Sequence, residues 1–360
     1  MNHWGEKSLK IGNLTARLPI IQGGMGVGVS LSRLASAVAN EGGIGVISTA
    51  AVGMMETDFS TNYLDANIRA LRKEIRKARE LTKGIIGVNI MVALSNFADM
   101  AKTAIEEGVD IIFSGAGLPL NLPSFLKEAK DTKLVPIVSS ARAASIIAKK
   151  WVEKYQYAPD AVVVEGPLAG GHLGFKIEQI EDPNYKLEKL VSEVISELKN
   201  VEDKIAKPIP VIAAGGIYTG EDIYKYIQLG ASGVQMATRF VTTIECDASL
   251  EFKNTYIECE KEDMGIIKSP VGMPGRAIIN KFIKDVEAGA KKPYKCPYHC
   301  IFTCKYETSP YCIALALINA KKGNMKHGFA FAGENAYRAE KIVSVKDLVN
   351  SLVEEYECVV

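Results

Sequence analysis

Along this chain, short apolar runs alternate with longer stretches in which apolar residues recur every three or four positions. The first pattern reads as buried strand and the second as one-sided helix. Strands are expected at residues 18–21, 44–48, 84–90, 110–114, 134–138, 161–164, 210–214 and 233–236. Helices are expected near 31–40, 63–81, 97–107, 123–130, 141–154, 187–199 and 221–229. Strand alternating with helix implies right-handed βαβ units and a parallel sheet. Eight such units in this span match an α/β fold of the TIM (β/α)8 barrel type. An open doubly wound sheet is the alternative, disfavoured because no proper G-x-G-x-x-G opens the first unit. The pattern stops near residue 245. The chain therefore divides into a barrel, residues 1–244, and a C-terminal, cysteine-containing extension, residues 245–360, packed on the barrel mouth. Helical pieces are expected within it near 311–320 and 346–355.

Sites in such barrels form at the C-terminal strand ends, and here those ends are rich in glycine and polar residues. The first strand runs into Gln22-Gly23-Gly24-Met25 and the third ends at Asn89. The sixth opens into Glu165-Gly166-Pro167-Leu168-Ala169-Gly170-Gly171-His172-Leu173-Gly174. Glycines let backbone approach a ligand closely, and histidine is the side chain whose charge changes nearest neutrality. That loop reads as a cofactor cradle carrying an acid/base group, His172. Glu165 is expected to cap the loop by accepting backbone N–H bonds. Ser139-Ser140 either touch substrate or cap the helix that follows them, and capping is the expectation. Gly215, Gly216, Gln235 and Thr238 follow strands seven and eight, where TIM barrels commonly bind phosphate.

The 360 residues carry a formal net charge of +1, which gives no electrostatic footprint for nucleic acid or an anionic membrane. No apolar run reaches the roughly 18–20 residues that span a bilayer. The start lacks the apolar core of a signal peptide, so a cytoplasmic location is expected. The Lys- and Arg-rich stretch at residues 72–79 reads as a solvated helix face.

All seven cysteines follow residue 245. Their odd number argues against a disulfide framework. Cys296, Cys300, Cys304 and Cys312 crowd together with His299 among them, at spacings that match no common zinc ribbon. Buried inert thiols are the first reading, so no metal is expected. Zinc, an iron–sulfur cluster or redox-active thiols are the alternatives.

Five motifs, in order, resemble the nitronate monooxygenase (2-nitropropane dioxygenase) family and the related flavin-dependent enoyl-ACP reductases. They are Gln22-Gly23-Gly24-Met25, Gly87-Val88-Asn89-Ile90, Ala169-Gly170-Gly171-His172-Leu173-Gly174, Ala213-Ala214-Gly215-Gly216-Ile217 and Gln235-Met236-Ala237-Thr238-Arg239-Phe240. The resemblance covers roughly residues 12–280 and implies an FMN-binding TIM barrel. It implies that Gln22, Gly23, Gly24 and Met25 line the flavin with backbone and side chain, and that Asn89 bonds its ring edge. Gly170, Gly171 and Gly174 would shape the sixth loop around it. Gly215, Gly216, Gln235, Met236, Ala237 and Thr238 would hold its phosphate, although Ala237 stands where the family often has glycine. His172 falls on the family's active-site histidine. The implied activity is oxidation of alkyl nitronates with O2. An enoyl-thioester reductase using NAD(P)H is the alternative, and a non-enzymatic flavin- or metal-binding sensor is a reading of another class. Segment 269–277 and the cysteine-rich region resemble only a subset of the relatives. The expected partner is a small-molecule substrate, and a homodimer is the expected assembly.

Overall fold

The computed structural model describes residues 8–126, 131–292, 296 and 298–360. Eight parallel strands form one sheet: β1 (Ile20–Gln22), β2 (Gly45–Ser48), β3 (Ile86–Met91), β4 (Ile111–Gly115), β5 (Lys133–Val138), β6 (Val162–Glu165), β7 (Val211–Ala214) and β8 (Gly233–Met236). Each pairs with its neighbour in sequence, and β8 pairs with β1. A parallel bridge between Ile21 and Ile44 closes the ring. There the N–H of Gln22 donates to Ile44 O and the N–H of Ile44 to Ile20 O, both at 2.9 Å. The eight strands expected from the pattern are all present as a barrel.

Period-two alternation sorts each strand's side chains between two cores. Ile21, Val46, Phe113, Val135, Val163 and Ile212 pack together inside the barrel. Their neighbours Ile20, Ile47, Ile112, Leu134, Val164 and Ala213 face the surrounding helices. A hairpin of Leu9–Ile11 and Leu14–Ala16 closes the N-terminal end, with Leu9, Ile11 and Ala16 joining the inner core.

Helices Ser32–Asn40, Tyr63–Leu81, Phe97–Glu106, Ala141–Tyr155, Leu187–Ile205 and Gly220–Gln228 form most of the outer ring. The helix expected near 123–130 differs. Residues Leu122–Phe125 form one 3-10 turn led by Pro123, and 127–130 lie outside the described residues. On the basic face of helix Tyr63–Leu81, Arg72 and Arg76 are exposed but paired with Glu106 and Glu107. Among the described residues, no helix is long and apolar enough to cross a membrane.

The extension packs on the barrel in two ways. Short strands Met264–Lys268 and Pro274–Ile278 form a hairpin that adds Gly171–His172 as its third strand. The last helix, Val345–Glu357, packs between helices Gly220–Gln228 and Ser32–Asn40. It thereby occupies the eighth position of the outer ring. Tyr224 and Tyr356 meet edge-on at 5.5 Å, and Glu355 accepts from the N–H of Gly220 at 2.8 Å. A Cβ on Gly220 would stand 2.2 Å from the carbonyl oxygen of Leu352.

This close seating is testable. Gly220→Ala should lower stability by about 1–3 kcal/mol, because backbone must move to admit one methyl group. Urea unfolding would measure it. An unchanged midpoint would mean the last helix is not seated there.

Candidate functional site

The inward positions change character at the C-terminal ends of the strands. By parity the next inward residues after the apolar core include Gly23, Asn89, Gly115, Ile137, Glu165 and Gln235. All six line one cavity of about 450 Å³, a size that suits a cofactor or substrate. They form its floor. Gly24 passes so close to β3 that a Cβ there would lie 2.3 Å from the Cβ of Asn89. The floor is thus bare backbone on one side, with the Asn89 and Gln235 amides on the others. Neither amide hydrogen-bonds a described residue, so both remain free for a ligand.

The roof comes from the loop after β6 and from the extension. Gly171, at φ +86°, turns the chain, and His172 pairs with Gly275 in the hairpin. His172 Nε2 lies 2.7 Å from Ser269 Oγ, and its ring meets Phe331 edge-on at 5.0 Å. Nδ1 has no hydrogen-bond partner among the described residues. Burial drives the imidazole pKa down to about 4, so His172 is neutral at pH 7. Glu165, half-buried in the floor, is pushed up to about 7 by desolvation.

Most residues expected from the sequence converge here. Gly23, Gly24, Met25, Asn89, Gly170, Gly171, His172, Gly174, Gln235, Ala237 and Thr238 all line the cavity. Thr238 Oγ1 accepts from the N–H of Gly333 at 3.0 Å, which leaves its own proton to donate. Gln22, Met236, Gly215 and Gly216 stand outside the lining. The Gln22 side chain is fully buried and clamps β2: its Oε1 accepts from Val46 N–H at 3.0 Å, and its Nε2 donates to Val46 O at 3.2 Å. Met236 is buried in the outer core, while its carbonyl accepts from the N–H of Gly23 at 2.8 Å. Gly215 and Gly216 lie under the loop after β6, where a Cβ on Gly216 would sit 2.8 Å from that of Leu168.

Ser140 does cap its helix, accepting from Ala143 N–H at 3.2 Å. Glu165 does not cap its loop. Its carboxyl accepts no described backbone N–H, because the inward parity of β6 points it into the cavity. Ser139, offered by the sequence as a substrate contact but set behind capping, lines the cavity, as its parity on the β5 end implies. The sequence reading missed Tyr256, Ser269, Met273 and Phe331. They come from the extension, where no repeating pattern marks them.

Cys296, Cys300, Cys304 and Cys312 are all free thiols. Burial pushes Cys300 up to about 12, and neighbouring Cys312, Cys296 and Cys304 add to the shift. Among the described residues, no three His, Cys, Asp or Glu side chains stand close enough to share one ion. The loop is tied to the segment after β3: Ser95 N–H donates to Cys300 O at 3.1 Å, and Phe302 N–H to Ala93 O at 3.2 Å. It also reaches the roof, where Thr303 Oγ1 donates to Val271 O at 3.3 Å.

Set against known proteins, this chain is similar to several in sequence and in fold. A solved FabK structure from Thermotoga maritima is 28% identical and superposes with a TM-score of 0.73 over 95% of this chain and 93% of that one. A nitroalkane oxidase structure from Streptomyces ansochromogenes superposes at 0.72 over 95% and 96% of the chains; at 22% identity it shows the fold alone. A probable nitronate monooxygenase of Staphylococcus aureus is 27% identical over 76% of this chain and 78% of that protein. A (3aS,4S,5R,7aS)-5-hydroxy-7a-methyl-1-oxo-octahydro-1H-indene-4-carboxyl-CoA dehydrogenase of Mycobacterium tuberculosis is 28% identical over 76% of this chain, but the match spans only 66% of that relative. The model of the nitronate monooxygenase family matches residues 7–355, nearly the whole chain, and the protein therefore belongs to that family of oxidoreductases.

Proposed function

We propose that this protein is an FMN-dependent oxidoreductase that oxidises alkyl nitronates with O2. The observation that carries the reading is the neutral imidazole of His172 held over a floor whose Asn89 and Gln235 amides have no partner among the described residues. The residues present fit a flavin: bare backbone at Gly23 and Gly24 admits a flat ring against the wall, and two free amides match its polar edge. Ala237 and Thr238, with Gly170 beside them, are the residues that would hold the phosphate. Gln22, Met236, Gly215 and Gly216 support this wall from behind. When bound, FMN supplies the electron-accepting chemistry, while the protein supplies orientation and proton management.

His172 is assigned the substrate proton. Ser269 fixes the ring through Nε2, which leaves Nδ1 free to accept a proton from a neutral nitroalkane or to orient an anionic nitronate. A second reading, an enoyl-thioester reductase using NAD(P)H, is favoured by the apolar upper wall of Met273, Leu317 and Phe331. That wall offers more apolar surface than a small nitronate needs. The likeness to FabK and to a carboxyl-CoA dehydrogenase points the same way.

A cytoplasmic homodimer remains the proposed setting, and size-exclusion chromatography with light scattering tests the assembly.

Anaerobic mixing of the FMN-loaded protein with a nitronate should bleach the oxidised flavin band within the turnover time. Bleaching by NAD(P)H instead, with turnover of an enoyl thioester, would replace the first reading by the second. His172→Ala should lower kcat/KM for a neutral nitroalkane about 10²–10⁴-fold with FMN content unchanged; equal loss of both would make His172 structural. Because burial holds the imidazole neutral down to about pH 4, wild-type kcat/KM should show no His172 limb between pH 5 and 7.

A further inference from the structure

Among the described residues, Glu165 is the one carboxyl on the cavity wall, and the reading above leaves it without a task. Its position is fixed by the barrel. β6 pairs with β7 so that Glu165 stands opposite Ala214, and the N–H of Gly166 donates to Ala214 O at 2.9 Å. The strand's register cannot slip by one without driving Val162 and Val164 into the barrel interior. The side chain therefore tops the same inward column as Ala161 and Val163. Asn89 on β3 and Gln235 on β8 top theirs in the same layer.

No described residue hydrogen-bonds this carboxyl, and no described cation pairs with it. The guanidinium that reaches the loop after β6 is that of Arg276. It donates to Pro167 O at 3.0 Å, but it is committed to an ion pair with Glu334. The other titratable side chains on the cavity wall are His172 and Tyr256. His172 is neutral, and Tyr256 donates its hydroxyl to Phe331 O, with burial raising its pKa. A carboxyl placed here without a partner costs stability, and no described residue offsets that cost. Such a group is retained where a ligand completes it.

We propose that Glu165 is a cofactor-facing residue of the site, a carboxylic acid on the floor that donates a hydrogen bond to the polar edge of the bound ring system between the Asn89 and Gln235 amides. This assignment rests on the flavin reading above. It separates two proton duties: His172 meets substrate from the roof, and Glu165 meets the cofactor from below. Desolvation supports it, since burial holds the group protonated up to about pH 7. Above that pH the same carboxyl presents a negative charge to the ring edge, where it can only accept. The site therefore carries a switch in its floor: the ligand meets a donor below neutrality and an anion above it.

The test is FMN binding by the apoprotein, followed by the flavin absorption spectrum from pH 5.5 to 9. The wild type should bind FMN on the order of tenfold more weakly at pH 9 than at pH 6. Its bound flavin spectrum should shift through one transition near neutrality. Glu165→Gln, which keeps the shape and remains neutral, should bind with equal affinity at both pH values and lose the transition. His172→Gln should keep it. A transition that survives in Glu165→Gln, or its absence from the wild type, overturns the proposal. Failure of the flavin reading looks different, because then no variant retains FMN at any pH. In that case the melting temperature of the apoprotein still reports on the carboxyl. A raised folded pKa stabilises below the unfolded value of 4.5 and loses that contribution as pH rises through 7. Glu165→Gln should therefore melt higher than wild type at pH 8.5 by more than it does at pH 5. An equal difference at both pH values would show that the carboxyl is not desolvated.

Discussion

Inward and outward alternation along eight short strands is the constraint on which the rest of this structure depends. Below, it fills the barrel with Ile21, Val46, Phe113, Val135, Val163 and Ile212, a dry interior that holds the strands in register. Carried one step further, the same alternation delivers Asn89, Glu165 and Gln235 to a single layer at the mouth. The site is therefore not added to the barrel but continues its inner columns with polar side chains. A one-residue slip in any strand would cost core packing and site geometry together.

Electrostatics follow from that placement. A site floored by an apolar core and roofed by Phe331 and Met273 penalises charge in either sign. The imidazole is kept from gaining a proton and the carboxyl from losing one, so both groups are neutral over much of the range between pH 4 and 7. A neutral histidine can accept and a neutral carboxyl can donate. Environment assigns the opposite roles, as it does wherever two titratable groups are pushed away from their ordinary values.

The barrel and its mouth were legible in the sequence because most strands announce themselves twice, by an apolar run and by the glycine or polar residue that ends it. Asn89, His172 and Gln235 could be placed on that basis. Gln22 could not be assigned correctly, since its motif places it beside the cavity but nothing in sequence shows that its amide is consumed by the backbone of Val46. Glu165 misled for a related reason: a residue at a strand end looks like a loop cap until its parity is counted. Ser269 and Phe331 were beyond reach, because they approach His172 only through a hairpin and a return segment whose pairing is long-range.

The seat of the last helix changes what the region before it is. Because Val345–Glu357 takes the place of the barrel's eighth helix, the residues between β8 and that helix are a loop held at both ends rather than a tail. The hairpin, the cysteine loop and Phe331 all belong to this one excursion. A roof anchored at both ends has less conformational freedom to lose than a free tail of the same length. It can also diverge in sequence among relatives while the barrel that carries it stays the same. The cavity is thereby built from two stretches of one chain, barrel mouth and excursion, and the last helix ties the second to the first.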